Sequence, residues 1–240
     1  MAPRAIATAL ALLLALLLAG CGGSGDPADA LDAKARAQAQ ALQSEYESAR
    51  AQQNWEGAEA RADELRRLFP GSEADDAIGA TLADVRQQAA AARESRRLRG
   101  LWTYQAVPAA GGTQRTASIH SRTPPTGEDL PPIAPDAQLV LRDHPAWGRS
   151  AYLLLAQKRF ECPSPCAMRI AFDDGDARRF AGRQADSGQG PALFIEDDEA
   201  FIAALQEARE VTISLPEGSG NLRSLVFEVG GFSPARYARP

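Results

Sequence analysis

The chain changes character at Gly100, and that break limits the folds open to it. From Leu31 to Arg99 the residues are rich in Ala, Gln, Glu and Arg, good helix formers throughout, with Pro70 as the single proline. From Gly100 onward, short segments rich in aromatic and β-branched residues alternate with Gly, Pro, Asp and Ser breaks, the pattern of an all-β domain. The pattern predicts an α+β chain in two parts. The first is an N-terminal α-helical hairpin or coil; the second is a C-terminal, mainly-β sandwich or partly open barrel with one helix.

Three helices fit the first part, over 29–53, 55–69 and 73–98. Ala58, Ala62, Leu65 and Phe69 step at helical spacing in the second, and Ile78, Leu82, Val85, Ala89 and Ala92 do so in the third. Pro70-Gly71 breaks the chain between them, Ser72 is the expected N-cap, and Glu73, Asp75 and Asp76 suit the positive end of the helix that follows. Arg93, Arg96, Arg97 and Arg99 at the other end are read as macrodipole compensation.

In the second part the expected strands are Leu101–Val107, Gln114–His120, Ala137–Arg142, Ser150–Gln157, Ala167–Phe172, Ala177–Gly182, Ala192–Ile195, Val211–Leu215 and Leu222–Val229. The last is expected to be largely buried, because Val226 interrupts the alternation of Leu225, Phe227 and Val229. Asp197 or Asp198 should cap the one helix, whose buried stripe is Phe201, Ile202, Leu205 and Ala208. Residues 121–136 hold Pro124, Pro125, Pro131, Pro132 and Pro135, and so form a long, stiff loop.

At the amino end, Arg4 precedes an almost unbroken apolar run from Ala5 to Leu18, and Leu18-Ala19-Gly20-Cys21 closes it. Fourteen residues at about 1.5 Å each fall short of a hydrocarbon core of about 30 Å. The last four residues resemble the bacterial lipobox. The resemblance implies cleavage of 1–20, a diacylglycerol on the Cys21 thiol, and acylation (palmitate among the chains) of the new amino group. Gly22 after the cysteine implies sorting to the cell outer membrane, with the chain on its periplasmic face. Residues 21–30 then form a flexible tether, 31–99 a helical spacer and 100–240 the β-domain. The membrane contact is through lipid on Cys21.

Two cysteines remain. Cys162 and Cys166 form an even pair in an oxidising compartment and are expected to bridge, pinning the turn over Pro163-Ser164-Pro165. The C-x3-C spacing is not that of thioredoxin-like redox sites, and His120 and His144 lack ligand spacing, so no metal is expected. The formal charge of −5 speaks against nucleic acid as a partner. Only Lys34 and Lys158 stand against 24 arginines, which reads as coding bias and strips meaning from any single arginine.

Trp55, Ala58 and Pro70 give the stretch Asn54–Ser72 a weak resemblance to part of a tetratricopeptide-type repeat, which implies a helical hairpin. Leu101-Trp102-Thr103-Tyr104, the Phe160–Cys166 loop, Ile170–Gly175, Leu193-Phe194-Ile195 and Phe227–Phe232 resemble a β-domain of proteobacterial lipoproteins and prophage-encoded periplasmic proteins. That resemblance implies no activity.

No motif commits the chain to a reaction. Asp173, Asp174 and Asp176 around Gly175 lack EF-hand spacing and read as a hairpin turn. Glu196–Glu199 reads as a cap and first helical turn. His144 beside Asp143 is the most reactive-looking side chain, yet Pro145 and Gly148 place it in a surface turn without a partnering serine motif. No phosphate-binding glycine loop follows a strand and opens a helix. No catalytic, cofactor-binding or metal residue is therefore expected. The reading is a non-enzymatic lipoprotein that binds or scaffolds another envelope component, with a protein partner expected. The alternative is an inhibitor of a periplasmic or lytic enzyme acting through 121–136, and behind it an envelope hydrolase using His144.

Overall fold

Residues 27–122, 137–155, 166–184, 192–217 and 221–237 are described by the computed structural model. The chain divides into two compact units, Met1–Ala90 and Ala91–Pro240. In the first unit lie α1 (Pro27–Ala51), α2 (Trp55–Leu68) and most of α3 (Glu73–Gly100). The Asn54 side chain accepts the Gly57 amide at 3.1 Å and starts α2. Ser72 Oγ accepts the Asp75 amide at 3.2 Å, as expected of the N-cap of α3. Asp75 in turn accepts the Gly71 amide at 3.0 Å and Arg66 Nε at 2.9 Å, tying the connection between α2 and α3 together.

The expected stripes meet in one cluster: Ala58, Ala62 and Leu65 of α2 with Ile78, Leu82 and Val85 of α3. Tyr46 of α1 is wholly buried among them. No helix among the described residues is long and apolar enough to cross a membrane.

The second unit holds all nine expected strands: β1 (Thr103–Ala109), β2 (Gly112–His120), β3 (Ala137–His144), β4 (Gly148–Leu155), β5 (Cys166–Phe172), β6 (Arg178–Gln184), β7 (Ala192–Ile195), β8 (Val211–Glu217) and β9 (Asn221–Phe227). They form a single antiparallel sheet in the order β1-β2-β3-β4-β7-β6-β5-β8-β9. It is one continuous open sheet, not two packed ones. It curls far enough that the Arg122 amide, just past β2, donates to the Val226 carbonyl on β9 at 2.7 Å. The concave side is the core, where α4 (Asp198–Glu207) inserts Phe201, Ile202 and Leu205. Asp197 caps α4 by accepting the Ala200 amide at 3.3 Å.

After β9 the chain returns toward β1. Trp102 Nε1 donates to the Val229 carbonyl at 3.2 Å, and the Ser233 amide donates to the Tyr104 hydroxyl at 2.7 Å, just before α5 (Pro234–Tyr237). Strand β9 departs from the expectation of burial. Leu225 and Phe227 are buried while Leu222 and Ser224 are exposed, because a strand in this sheet has only one face against the core. The base of the proline-rich loop is held by Ser121 and Ala137, whose Oγ and amide bond at 3.1 Å; the rest, 123–136, lies outside the described residues.

Candidate functional site

Side-chain alternation divides the sheet into a core face and an outward face, and arginines stand at strand positions of both, Arg115, Arg149 and Arg178 on the core parity. On β3, β5 and β6 the outward positions carry Arg142, Arg169, Arg179 and Arg183, and none of the described outward strand positions carries a carboxylate. Arg169 and Arg179 are direct cross-strand partners in the β5–β6 register. Like charges placed opposite one another in a sheet are destabilising. Glu196, the residue after β7, lies 3.8 Å from Arg183 and offsets part of this positive charge.

The register builds an aromatic row among these cations. Tyr152 on β4 pairs with Phe194 on β7, which pairs with Arg183 on β6. The Tyr152 and Phe194 rings are 5.1 Å apart and tilted by 44°. Arg183 lies over Phe194 at 5.3 Å, and Arg142 lies over Tyr152 at 5.6 Å and over Trp147 at 5.5 Å. Arg142 Nε also donates to Ser150 Oγ at 3.2 Å, so its guanidinium is fixed from two sides. Burial raises the Tyr152 phenol above its ordinary pKa, and the Arg142 cation opposes that shift.

Trp147 sits at the β3–β4 turn with 72% of its surface exposed. One side of its indole stacks on His144, with ring centres 3.8 Å apart and planes within 12°. This corrects the sequence reading of His144 as a surface turn residue. It is the last residue of β3, only 5% exposed under Trp147, and its Nδ1 accepts the Ala146 amide at 3.1 Å. Asp143, beside it, faces the core side and pairs in register with Arg115 and Arg149. At that end of the core the Tyr237 hydroxyl is buried, and its pKa is driven well up, first by desolvation and then by the Asp143 charge.

Arg142, Trp147, Arg149, Arg183, Glu196 and Asp198 line a groove of about 540 Å³. A second groove of about 560 Å³, lined by Arg178, Arg179 and Phe180 among others, shares Glu196 with it. Desolvation raises the Asp198 pKa, partly offset by backbone hydrogen bonds at the start of α4.

Of the residues weighed from sequence, Glu196 and Asp198 line the groove, and the others fall elsewhere. Cys21 and Cys162 lie outside the described residues. Cys166 opens β5 and is buried. The aspartate turn is a turn, with Asp173 in the left-handed region at φ 50° and its carboxylate bound to the segment before β8. None of the groove residues was singled out from the sequence as a binding residue. The one available signal was the parity of Arg142, Tyr152, Phe194 and Arg183 along their strands, which carries meaning only once strand order is known.

No protein-family model and no curated protein matches this chain. Among solved structures, invasion associated protein B from Bartonella henselae is similar at 16% identity, over 56% of this chain and 88% of that one, with a TM-score of 0.38. A likeness of that size carries no argument, so the functional reading rests on the chain's own residues.

Proposed function

We propose that this chain is a non-enzymatic binding module of the bacterial envelope. It would be held at the periplasmic face of the outer membrane by lipid on Cys21, and it would bind through the outward face of β3, β4, β7, β6 and β5. The observation that carries the binding reading is Trp147, 72% exposed beside Arg142 at the groove that both line. Exposed tryptophan and arginine together are what binding surfaces concentrate. The anchor reading is carried by Leu18-Ala19-Gly20-Cys21.

Binding is favoured over catalysis because the one reactive-looking side chain is already engaged. His144 Nδ1 accepts a backbone amide and its ring face is covered by Trp147, so it is held as part of the turn.

The test uses the lipidated full chain in cells. Wild type should take up a palmitate analogue and sediment with membranes, and Cys21→Ser should do neither. Isolated envelope material should retain the wild type more strongly than Arg142→Glu/Arg183→Glu. Equal retention of the two would overturn the binding surface. Turnover of peptidoglycan, ester or glycoside substrates that is lost in His144→Ala would overturn the non-enzymatic reading.

A further inference from the structure

We infer that residues 232–237 form a clasp that opens by itself while the sheet stays folded, uncovering the aromatic seam of Trp102 and Tyr104 beside β1. Up to Gly231 the segment after β9 is fixed through its backbone. The Gly230 amide donates to the Arg209 carbonyl at 3.0 Å, and Gly231 lies so close to the backbone of Leu98 and Arg99 that a Cβ there would overlap it. Beyond Gly231 the attachment changes kind. The Phe232 amide donates to the Val229 carbonyl at 2.9 Å and the Arg236 amide to the Ser233 carbonyl at 3.1 Å, so these bonds close on the segment itself. Side chains fasten it to the sheet, and two of the contacts meet on Tyr104. The Tyr104 hydroxyl accepts the Ser233 amide at 2.7 Å, and its ring lies 4.1 Å from the Arg236 guanidinium. Phe232 packs on Trp102 with ring centres 4.9 Å apart, and Tyr237 packs on Phe232 at 5.8 Å.

Two features lower the cost of release. Helix α5 has four residues, too few to persist as a helix alone. Tyr237 is 2% exposed, yet its hydroxyl has no hydrogen-bond partner among the described residues. Docking the ring therefore leaves a buried polar group unmet, a penalty that the open form does not carry. The sheet loses no ladder bond on release, since β1 keeps its pairing with β2 from Thr103 to Ala109. Segments held in this way open at lower free energy than the strands beneath them.

Release has a defined consequence. With the clasp closed Trp102 is only 5% exposed, while β1 is paired on one side and Gln105 to Pro108 are exposed. Covering an edge with a helix or loop guards a sheet against unwanted pairing, and here the cover over the start of the edge strand is removable.

Hydrogen exchange of the full chain, read by mass spectrometry, tests the clasp. Peptides covering 232–237 should exchange through an opening that hardly responds to low urea. Peptides from β3 and β8 should exchange only through a steeply urea-dependent unfolding. Tyr237→Phe keeps the ring and removes the unmet hydroxyl, so exchange of the clasp should slow by about tenfold. Tyr104→Phe removes the acceptor of the Ser233 amide and should quicken it by about fivefold. Arg236→Gln takes the cation from the Tyr104 ring and should quicken it by about threefold. Ile213→Val, in the core of β8, should quicken the strands by about fivefold and leave the clasp unchanged. Equal urea dependence in clasp and strands, or equal quickening of both by Ile213→Val, would overturn the proposal, because the clasp would then open only with the sheet. Exchange that is unchanged or faster in Tyr237→Phe, or unchanged in both Tyr104→Phe and Arg236→Gln, would overturn it as well.

Discussion

Asp173 and Glu210 hold each other twice: the Asp173 amide donates to the Glu210 carbonyl at 2.9 Å, and the Glu210 amide donates back to Asp173 Oδ1 at 2.9 Å. The same oxygen accepts the Arg209 amide at 2.8 Å. Asp173 does this from the left-handed region, at φ 50°, which aspartate tolerates better than most residues. Asp173→Ala should therefore cost about 1–2 kcal/mol in chemical denaturation, from two lost hydrogen bonds to a charged acceptor. Asp173→Asn keeps an acceptor and the backbone tolerance, and should cost less. Equal losses in the two variants would show that the carboxylate contacts contribute nothing.

Two glycines should respond in opposite directions. A Cβ on Gly231 would overlap the backbone of Leu98 and Arg99, where no flexible side chain can yield. Gly231→Ala should destabilise by about 2 kcal/mol or more, the cost of forced backbone movement. Gly79, inside α3, has nothing within 4 Å of the position its Cβ would take. Gly79→Ala should stabilise the helical unit by about 0.5–1 kcal/mol, read as a higher melting temperature.

The buried Tyr46 hydroxyl lies 2.7 Å from Thr81 Oγ, and Thr81 Oγ also donates to the Ile78 carbonyl at 3.2 Å. The pair is asymmetric. Tyr46→Phe removes one hydrogen bond and leaves Thr81 satisfied, so about 1 kcal/mol should be lost. Thr81→Ala strands a buried phenol without a partner and should cost more, about 1–3 kcal/mol. Urea midpoints for the two variants test the order.

The Gly71 amide, and after it Arg66, hold the Asp75 carboxylate below its usual pKa. A carboxyl depressed by folding contributes stability that is fully present above its unfolded value of about 3.9 and is lost as pH falls through the lower folded value. Wild type should lose stability on acidification below about pH 4 more steeply than Asp75→Asn, which has no proton to gain there. Parallel profiles from paired urea titrations would refute the linkage.

Periodicity alone was enough to place the three long helices, the capped helix at Asp198 and all nine strands, with ends within two residues. The reason is physical. Stripes such as Ala58, Ala62 and Leu65, the break at Pro70-Gly71 and the short strands between polar turns are local devices, and the structure keeps them. The candidate site was not legible in the same way. Twenty-four arginines against two lysines made each arginine look compositional, and no local pattern separates Arg142 or Arg183 from the rest.

What the residues determine unaided is the two-part α+β division and the strand and helix inventory. Those follow from propensity, period and motif, which act over a few residues at a time. Tertiary structure decided what lies beside what. The β4–β7–β6 adjacency reverses chain order, and only through it do Tyr152, Phe194 and Arg183 become neighbours in one row. His144 likewise became a buried support for Trp147 because the turn folds back on β3. Strand pairing joins residues some 40 positions apart in the chain, Tyr152 and Phe194 among them, and alternation by two then fixes which side chains share a face.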